Sequence, residues 1–162
     1  MTPATITAKE AAWTELPDEE LLKVRIADLK LRIEGSPVEP LVEKFYRELD
    51  EKGVHFHPAC YLTTEWLTPD KVPLIGIPFC LTHPRLKQLE KTMMLEVEGG
   101  TEKEALKLIR HEAGHAFNYA YRFYKRTRWR ELFGNFSMEY NVADYYSRPY
   151  SKQYVVHLDD NY

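Results

Sequence analysis

The chain has few cysteines, no long apolar run and no large excess of one charge. Each of these absences excludes certain classes of function. Only Cys60 and Cys80 occur among its 162 residues. They could pair, but two lone cysteines without an export signal are more often buried thiols. No stretch approaches the roughly 18 uninterrupted apolar residues of a membrane span. Residues 1–13 lack the basic start and apolar run of a secretory signal, so a cytoplasmic location is expected.

Charge and length are also moderate. The 22 Lys and Arg nearly balance 25 Asp and Glu, which leaves a net charge of −3 and no general attraction to nucleic acid or membrane. Hydrophobic residues make up 44% of the chain, enough for a core. We expect a flexible lead-in over residues 1–16 and a single domain over 17–162. The oligomeric state stays open.

The chemistry is concentrated in His111-Glu112-Ala113-Gly114-His115. Positions four apart share one face of a helix, so both imidazoles can hold one Zn²⁺ at about 2.0–2.1 Å. Glu112 follows the first ligand, so its carboxylate can act on a metal-bound water. The metal lowers the pKa of that water to about 7. The alternative is two partly buried histidines with ordinary partners and a solvated glutamate.

The flanking sequence favours a helix around this motif. Gly99-Gly100 breaks the preceding structure, and Thr101 with Glu104 forms a capping box. We expect the helix to run to about Thr127, because apolar residues recur at helical spacing through it.

Two histidines do not complete a catalytic zinc site, which usually has three protein ligands. One protease variant has Gly three residues and His six residues after the second ligand, but Asn118 and Tyr121 occupy those positions here. The third ligand must therefore come from elsewhere. The candidates are Glu139, His157, Asp159 and Asp160, and no motif distinguishes among them.

Other elements are predicted from periodicity and breakers. A short helix follows Pro17, a half-buried strand covers residues 29–34, and a helix begins at the Ser36 capping box and ends at Gly53. A strand covers residues 54–62 with Pro58 at an edge or bulge. His83-Pro84 opens a helix toward Glu98, and residues 129–133 form a short apolar turn.

Residues 72–79 form an apolar run that contains Pro73, Gly76 and Pro78, so a central strand is excluded. It could be an edge strand beside a cleft, to which an extended peptide adds. It could equally be an edge blunted by proline against aggregation.

Three further histidines and a basic cluster each have two interpretations. His55 and His57 could bind metal but fit exposed strand residues better, and His83 is either a helix cap or a partner of the metal ligands. The cluster could select acidic substrates, but more often such a cluster is a solvated face near a negative helix end. It consists of Arg122, Lys125, Arg126, Arg128 and Arg130.

From about Glu20 to Tyr162 the chain resembles a bacterial family of zinc-binding metallopeptidases. The segments that carry the resemblance are Glu65-Trp66, residues 75–79, 83–86, 96–100, 108–116 and 129–134, with 148–151 and 157–158. The resemblance implies a zincin-like α+β fold with a small mixed or antiparallel sheet and a long active-site helix. It also implies that His111 and His115 are metal ligands and Glu112 is the catalytic acid/base.

In that family we expect an acidic segment and a helical Glu ligand beyond the equivalent of Tyr162. Either this chain is truncated at its C-terminus, which we favour, or Asp159-Asp160 supplies the ligand. The expected function is zinc-dependent hydrolysis of a peptide or protein substrate. A zinc amidase or esterase, or a binding domain with a degenerate metal site, is the alternative. An oxyanion donor could come from Tyr145, Tyr146, Tyr150 or Tyr154.

Overall fold

A computed structural model describes residues 12–136 of the chain. Helices surround a two-stranded parallel sheet in this part of the molecule. The helices are α1 (Asp18–Leu21), α2 (Glu39–Glu51), α3 (Pro84–Met94), α4 (Glu102–Ala120) and α5 (Thr127–Phe133). The strands are β1 (Ala59–Thr63) and β2 (Leu74–Pro78), and single 3₁₀ turns cover Ile26–Leu29, Phe79–Thr82 and Phe123–Lys125.

The helix that carries the histidine motif begins where the sequence predicts. The Glu104 main-chain N–H donates to the Thr101 hydroxyl at 3.2 Å, and the Thr101 N–H donates to the Glu104 carboxylate at 3.1 Å, which confirms the capping box. The predicted end near Thr127 is wrong, because α4 stops at Ala120. Arg122 has a left-handed backbone with φ of 52°, which a continuing α-helix does not allow.

The sheet differs from the expected mixed or antiparallel one, because β1 and β2 run parallel with Cys60 opposite Ile75. The connection between them places Leu67 along the other side of β2. There the Gly76 N–H donates to the Leu67 carbonyl at 2.7 Å, and the Leu67 N–H donates back at 3.4 Å. β2 is an edge strand of the two-stranded sheet, which confirms the predicted edge position, and the isolated bridge to Leu67 covers its other side at Gly76.

Glycine is needed at this crossing. A Cβ at position 76 would lie 2.6 Å from Thr63 Cγ2 and 3.1 Å from Leu67 Cγ. The close approach at residue 76 therefore requires a residue without a side chain. The connection between the two parallel strands contains no helix, unlike the usual helical crossover.

Three predicted elements need correction. Residues 29–34 form no strand, since a 3₁₀ turn ends at Leu29 and Lys30 takes φ of 55°. The strand expected over 54–62 is shorter, because Tyr46 fixes the Pro58 carbonyl through a 2.7 Å hydrogen bond just before β1. The turn expected over 129–133 is the helix α5, which ends at Gly134.

The core lies where α2 and α4 meet β2. Ile75, Ile77 and Ile109 are completely buried, and Phe45 of α2 is nearly so. Both cysteines are free thiols, as expected. In the described residues no helix has the length and apolar character that crossing a membrane requires.

Candidate metal centre

His111 and His115 lie on adjacent turns of α4 with their ring nitrogens facing each other. The two Nε2 atoms are 3.3 Å apart, and the ring planes make an angle of 78°. Two nitrogens bound to one tetrahedral ion at about 2.0–2.1 Å would be about 3.4 Å apart. The pair therefore fits a single zinc ion. His111 is half-buried and His115 is exposed, so solvent reaches this face of the helix.

The electrostatics suit metal binding as well. Burial, followed by the neighbouring His115, lowers the pKa of His111, and Glu112 opposes this only partly. A lowered pKa favours the neutral imidazole, which is the form that coordinates a metal.

Glu112 lies beside this pair and is buried, with 7% of its surface exposed. The Thr68 hydroxyl lies 2.8 Å from Glu112 Oε2 and 2.9 Å from the Glu112 carbonyl oxygen. A buried carboxylate requires a donor, and Thr68 supplies it. The same contact fixes the side chain against the β1–β2 connection.

Residues 66–68 of that connection link three parts of the molecule. Trp66 Nε1 donates to the Glu98 carbonyl at 3.2 Å, just before α4. Leu67 pairs with Gly76 of β2, and Thr68 contacts Glu112. This role of Thr68 was not predicted from the sequence. No local pattern could reveal it, because the two residues are 44 positions apart.

A second carboxylate, that of Glu98, interacts electrostatically with Glu112. Burial raises the pKa of Glu98, and repulsion from Glu112, Glu96 and Glu65 raises it further. The side of the centre toward the start of α4 is therefore acidic. Nothing in the sequence distinguished Glu98 from the other glutamates of its segment.

The described residues do not supply a third ligand. Between residues 12 and 136, no group of three His, Cys, Asp or Glu side chains could hold a metal ion. The predicted candidates Glu139, His157, Asp159 and Asp160 lie outside the described residues, as do the four tyrosines considered as oxyanion donors. Asn118 is buried in α4, and Tyr121 stacks on Phe117 and Phe123.

The remaining histidines that the structure describes have other roles. His57 stacks on Tyr46 at 4.6 Å, and its Nε2 is 2.9 Å from Asp50. His55 is exposed and is not part of a strand. His83 caps α3, since its Nδ1 accepts from the Arg85 N–H at 3.1 Å. Of the two interpretations of His83, the helix cap is the one observed.

No protein-family model, curated protein or solved structure matches this chain. The metallopeptidase resemblance therefore stays a prediction that rests on sequence segments.

Proposed function

We propose that the chain is a zincin-like zinc hydrolase that cleaves peptide bonds. The observation that carries this proposal is the 3.3 Å separation of the His111 and His115 Nε2 atoms, which matches two ligands of one tetrahedral ion. Glu112 adds a buried carboxylate beside the pair, held by a hydroxyl. The arrangement joins a metal-binding face with a fixed proton acceptor.

His111, His115 and Glu112 have different roles in the proposed reaction. His111 and His115 would hold zinc through Nε2, and when bound the metal supplies Lewis acidity toward the scissile carbonyl and the attacking water. Glu112 accepts the proton of that water and passes it to the leaving nitrogen. Because the Thr68 hydroxyl engages Oε2, we assign the transferred proton to Oε1. The candidates for the third ligand are Glu139, His157, Asp159 and Asp160.

Zinc content and hydrolysis of the full chain test the proposal. After purification with added zinc, we expect about one zinc per chain in the wild type and in Glu112→Gln, and little in His115→Ala. Hydrolysis of fluorescently labelled casein should fall about 100-fold or more in Glu112→Gln, because the proton acceptor is lost. His55→Ala is the matched control, since this histidine is exposed and lies outside the centre.

The outcomes separate the rival functions. Wild-type chain without zinc would contradict the proposal and favour a binding domain with a degenerate site. Zinc with hydrolysis of esters or small amides, but not of peptides, would favour the amidase or esterase.

A further inference from the structure

A cavity of about 710 Å³ lies between the β1–β2 connection and the segment that follows α4. The connection contributes Asp70 and Lys71, and the later segment contributes Tyr124, Lys125, Arg130, Asn135 and Phe136. Two separate parts of the chain thus form its walls.

The cavity carries an excess of positive charge. Asp70 pairs with Lys71 at 2.9 Å, which neutralises one of its three cations. Among the described residues no carboxylate forms an ion pair with Lys125 or Arg130. Within residues 12–136, Lys125 and Arg130 therefore line the cavity without a carboxylate that pairs with them.

Tyr124 and Phe136 give the same cavity an aromatic lining. Tyr124 stacks on Phe136 with ring centroids 4.6 Å apart, and Trp129 meets Phe136 edge-on at 5.9 Å. A low-dielectric surface strengthens the attraction between a bound anion and nearby cations. The Arg130 guanidinium can also engage a carboxylate through two parallel hydrogen bonds.

The cavity adjoins the candidate metal centre through both of its walls. Thr68, which contacts Glu112, precedes Asp70 by two residues. Tyr119 lies one turn after His115 in α4, and its ring meets Phe136 of the cavity edge-on, with ring centroids 6.1 Å apart. A peptide bound across His111 and His115 would place a neighbouring residue at this cavity.

We propose that the cavity formed by Lys71, Lys125 and Arg130 with the Tyr124–Phe136 stack binds a carboxylate of the peptide substrate. The inference rests on the proposed function and specifies its substrate class. Two sources share this chemistry: an Asp or Glu side chain and a free C-terminus. Of the basic cluster noted in the sequence, only Lys125 and Arg130 line the cavity. Arg126 lies over the Phe123 ring, and Arg128 pairs with Glu131.

Peptide binding tests this proposal without requiring cleavage. The full chain with Glu112→Gln is titrated into fluorescein-labelled octapeptide pools, randomised except at one central position, and anisotropy is measured. Three pools are compared: central Glu with an amidated end, central Gln with an amidated end, and central Gln with a free C-terminus. We expect about five- to tenfold tighter binding of one carboxylate-bearing pool than of the amidated Gln pool. Which pool gains identifies the source.

Substitutions then test whether the cavity residues cause the preference for a carboxylate-bearing peptide. Lys125→Gln with Arg130→Gln should abolish it, whereas Arg130→Lys, which keeps the charge but loses the two parallel hydrogen bonds, should retain only part of it. Arg128→Gln is the matched control, because it removes a cation from the same helix but not from the cavity. Equal affinity for all three pools would overturn the proposal, as would an equal loss in Arg128→Gln. Zinc content and casein hydrolysis of the wild type report on the hydrolase proposal separately.

Discussion

At the residue scale, the contact between Thr68 and Glu112 determines how the motif is arranged. Glu112 follows His111 on α4, yet its carboxylate is buried and meets a hydroxyl from the β1–β2 connection. Sequence spacing predicts the two imidazoles on one face. It does not predict which donor satisfies the Glu112 carboxylate.

Removing the Thr68 hydroxyl should leave that carboxylate without its donor. We expect Thr68→Val to lower the free energy of unfolding by about 1–3 kcal/mol, the cost of an unsatisfied buried polar group. Urea denaturation measures it. Thr68→Ser retains the hydroxyl and should cost clearly less.

A double-mutant cycle isolates the interaction. In a Glu112→Leu background, Thr68→Val should cost less by about 0.5–3 kcal/mol, because the partner carboxylate is absent. Additive effects of the two substitutions would show that Thr68 acts through something other than the Glu112 carboxylate, since the Glu112 carbonyl oxygen is present in both backgrounds.

At the element scale, the start of α4 is determined by the local sequence. The relative direction of β1 and β2 is not. Thr101 and Glu104 are three residues apart and cap the helix wherever the domain places it. The parallel pairing depends instead on Leu67 crossing beside Gly76, a contact between segments nine residues apart. Alternating apolar residues are compatible with parallel and antiparallel partners alike.

Gly76 and Gly114 give a pair of opposite predictions. Gly76→Ala should destabilise the fold by about 1–3 kcal/mol, because its Cβ would lie 2.6 Å from Thr63 Cγ2. Thr63→Ser removes that methyl and should recover part of the loss. Gly114→Ala should stabilise by about 0.5–1 kcal/mol, since its Cβ meets nothing within 4 Å in a helix.

Thermal unfolding of the three variants measures these effects. Zinc content should be unchanged in Gly114→Ala, because the added methyl group meets no neighbour. A stabilising Gly76→Ala would contradict the close approach at the crossing.

At the scale of the whole molecule, an ion pair joins α2 and α4 through two residues that are 62 positions apart in the sequence. The Arg110 guanidinium makes two hydrogen bonds to the Glu48 carboxylate, at 2.7 and 2.9 Å. This contact lowers the pKa of Glu48 below its ordinary value. Both side chains are partly exposed, which limits the gain through solvent screening.

The pair predicts a pH dependence of known sign. A carboxylate with a lowered folded-state pKa stabilises fully above its ordinary value of 4.5 and loses that contribution as pH falls through the folded value. Glu48→Gln should therefore cost up to about 1 kcal/mol near pH 7 and progressively less below about pH 4.5. Urea denaturation at the two pH values measures the difference.

Glu43→Gln on the same helix is the control, since its contact with Arg47 is longer, at 3.9 Å. A cost of Glu48→Gln that does not change with pH would remove the ion pair as the cause.

The sequence by itself determined the helix start at Thr101 and the common face of His111 and His115, because both depend on residues within one or two turns. It also predicted the short helix after Pro17 and a helix in the region where the structure has α2. It failed at residues 29–34 and at the end of α4, where a left-handed residue, Lys30 or Arg122, interrupts an otherwise suitable pattern.

Only the tertiary structure decided the direction of the sheet, the contact of Thr68 with Glu112 and the cavity that joins Lys71 to Arg130. Each depends on segments that are distant in sequence and meet only when the core closes. Side-chain periodicity records which face of an element is buried, but not which partner buries it. For this reason the shared face of His111 and His115 could be predicted from the motif, and the surroundings of that face could not.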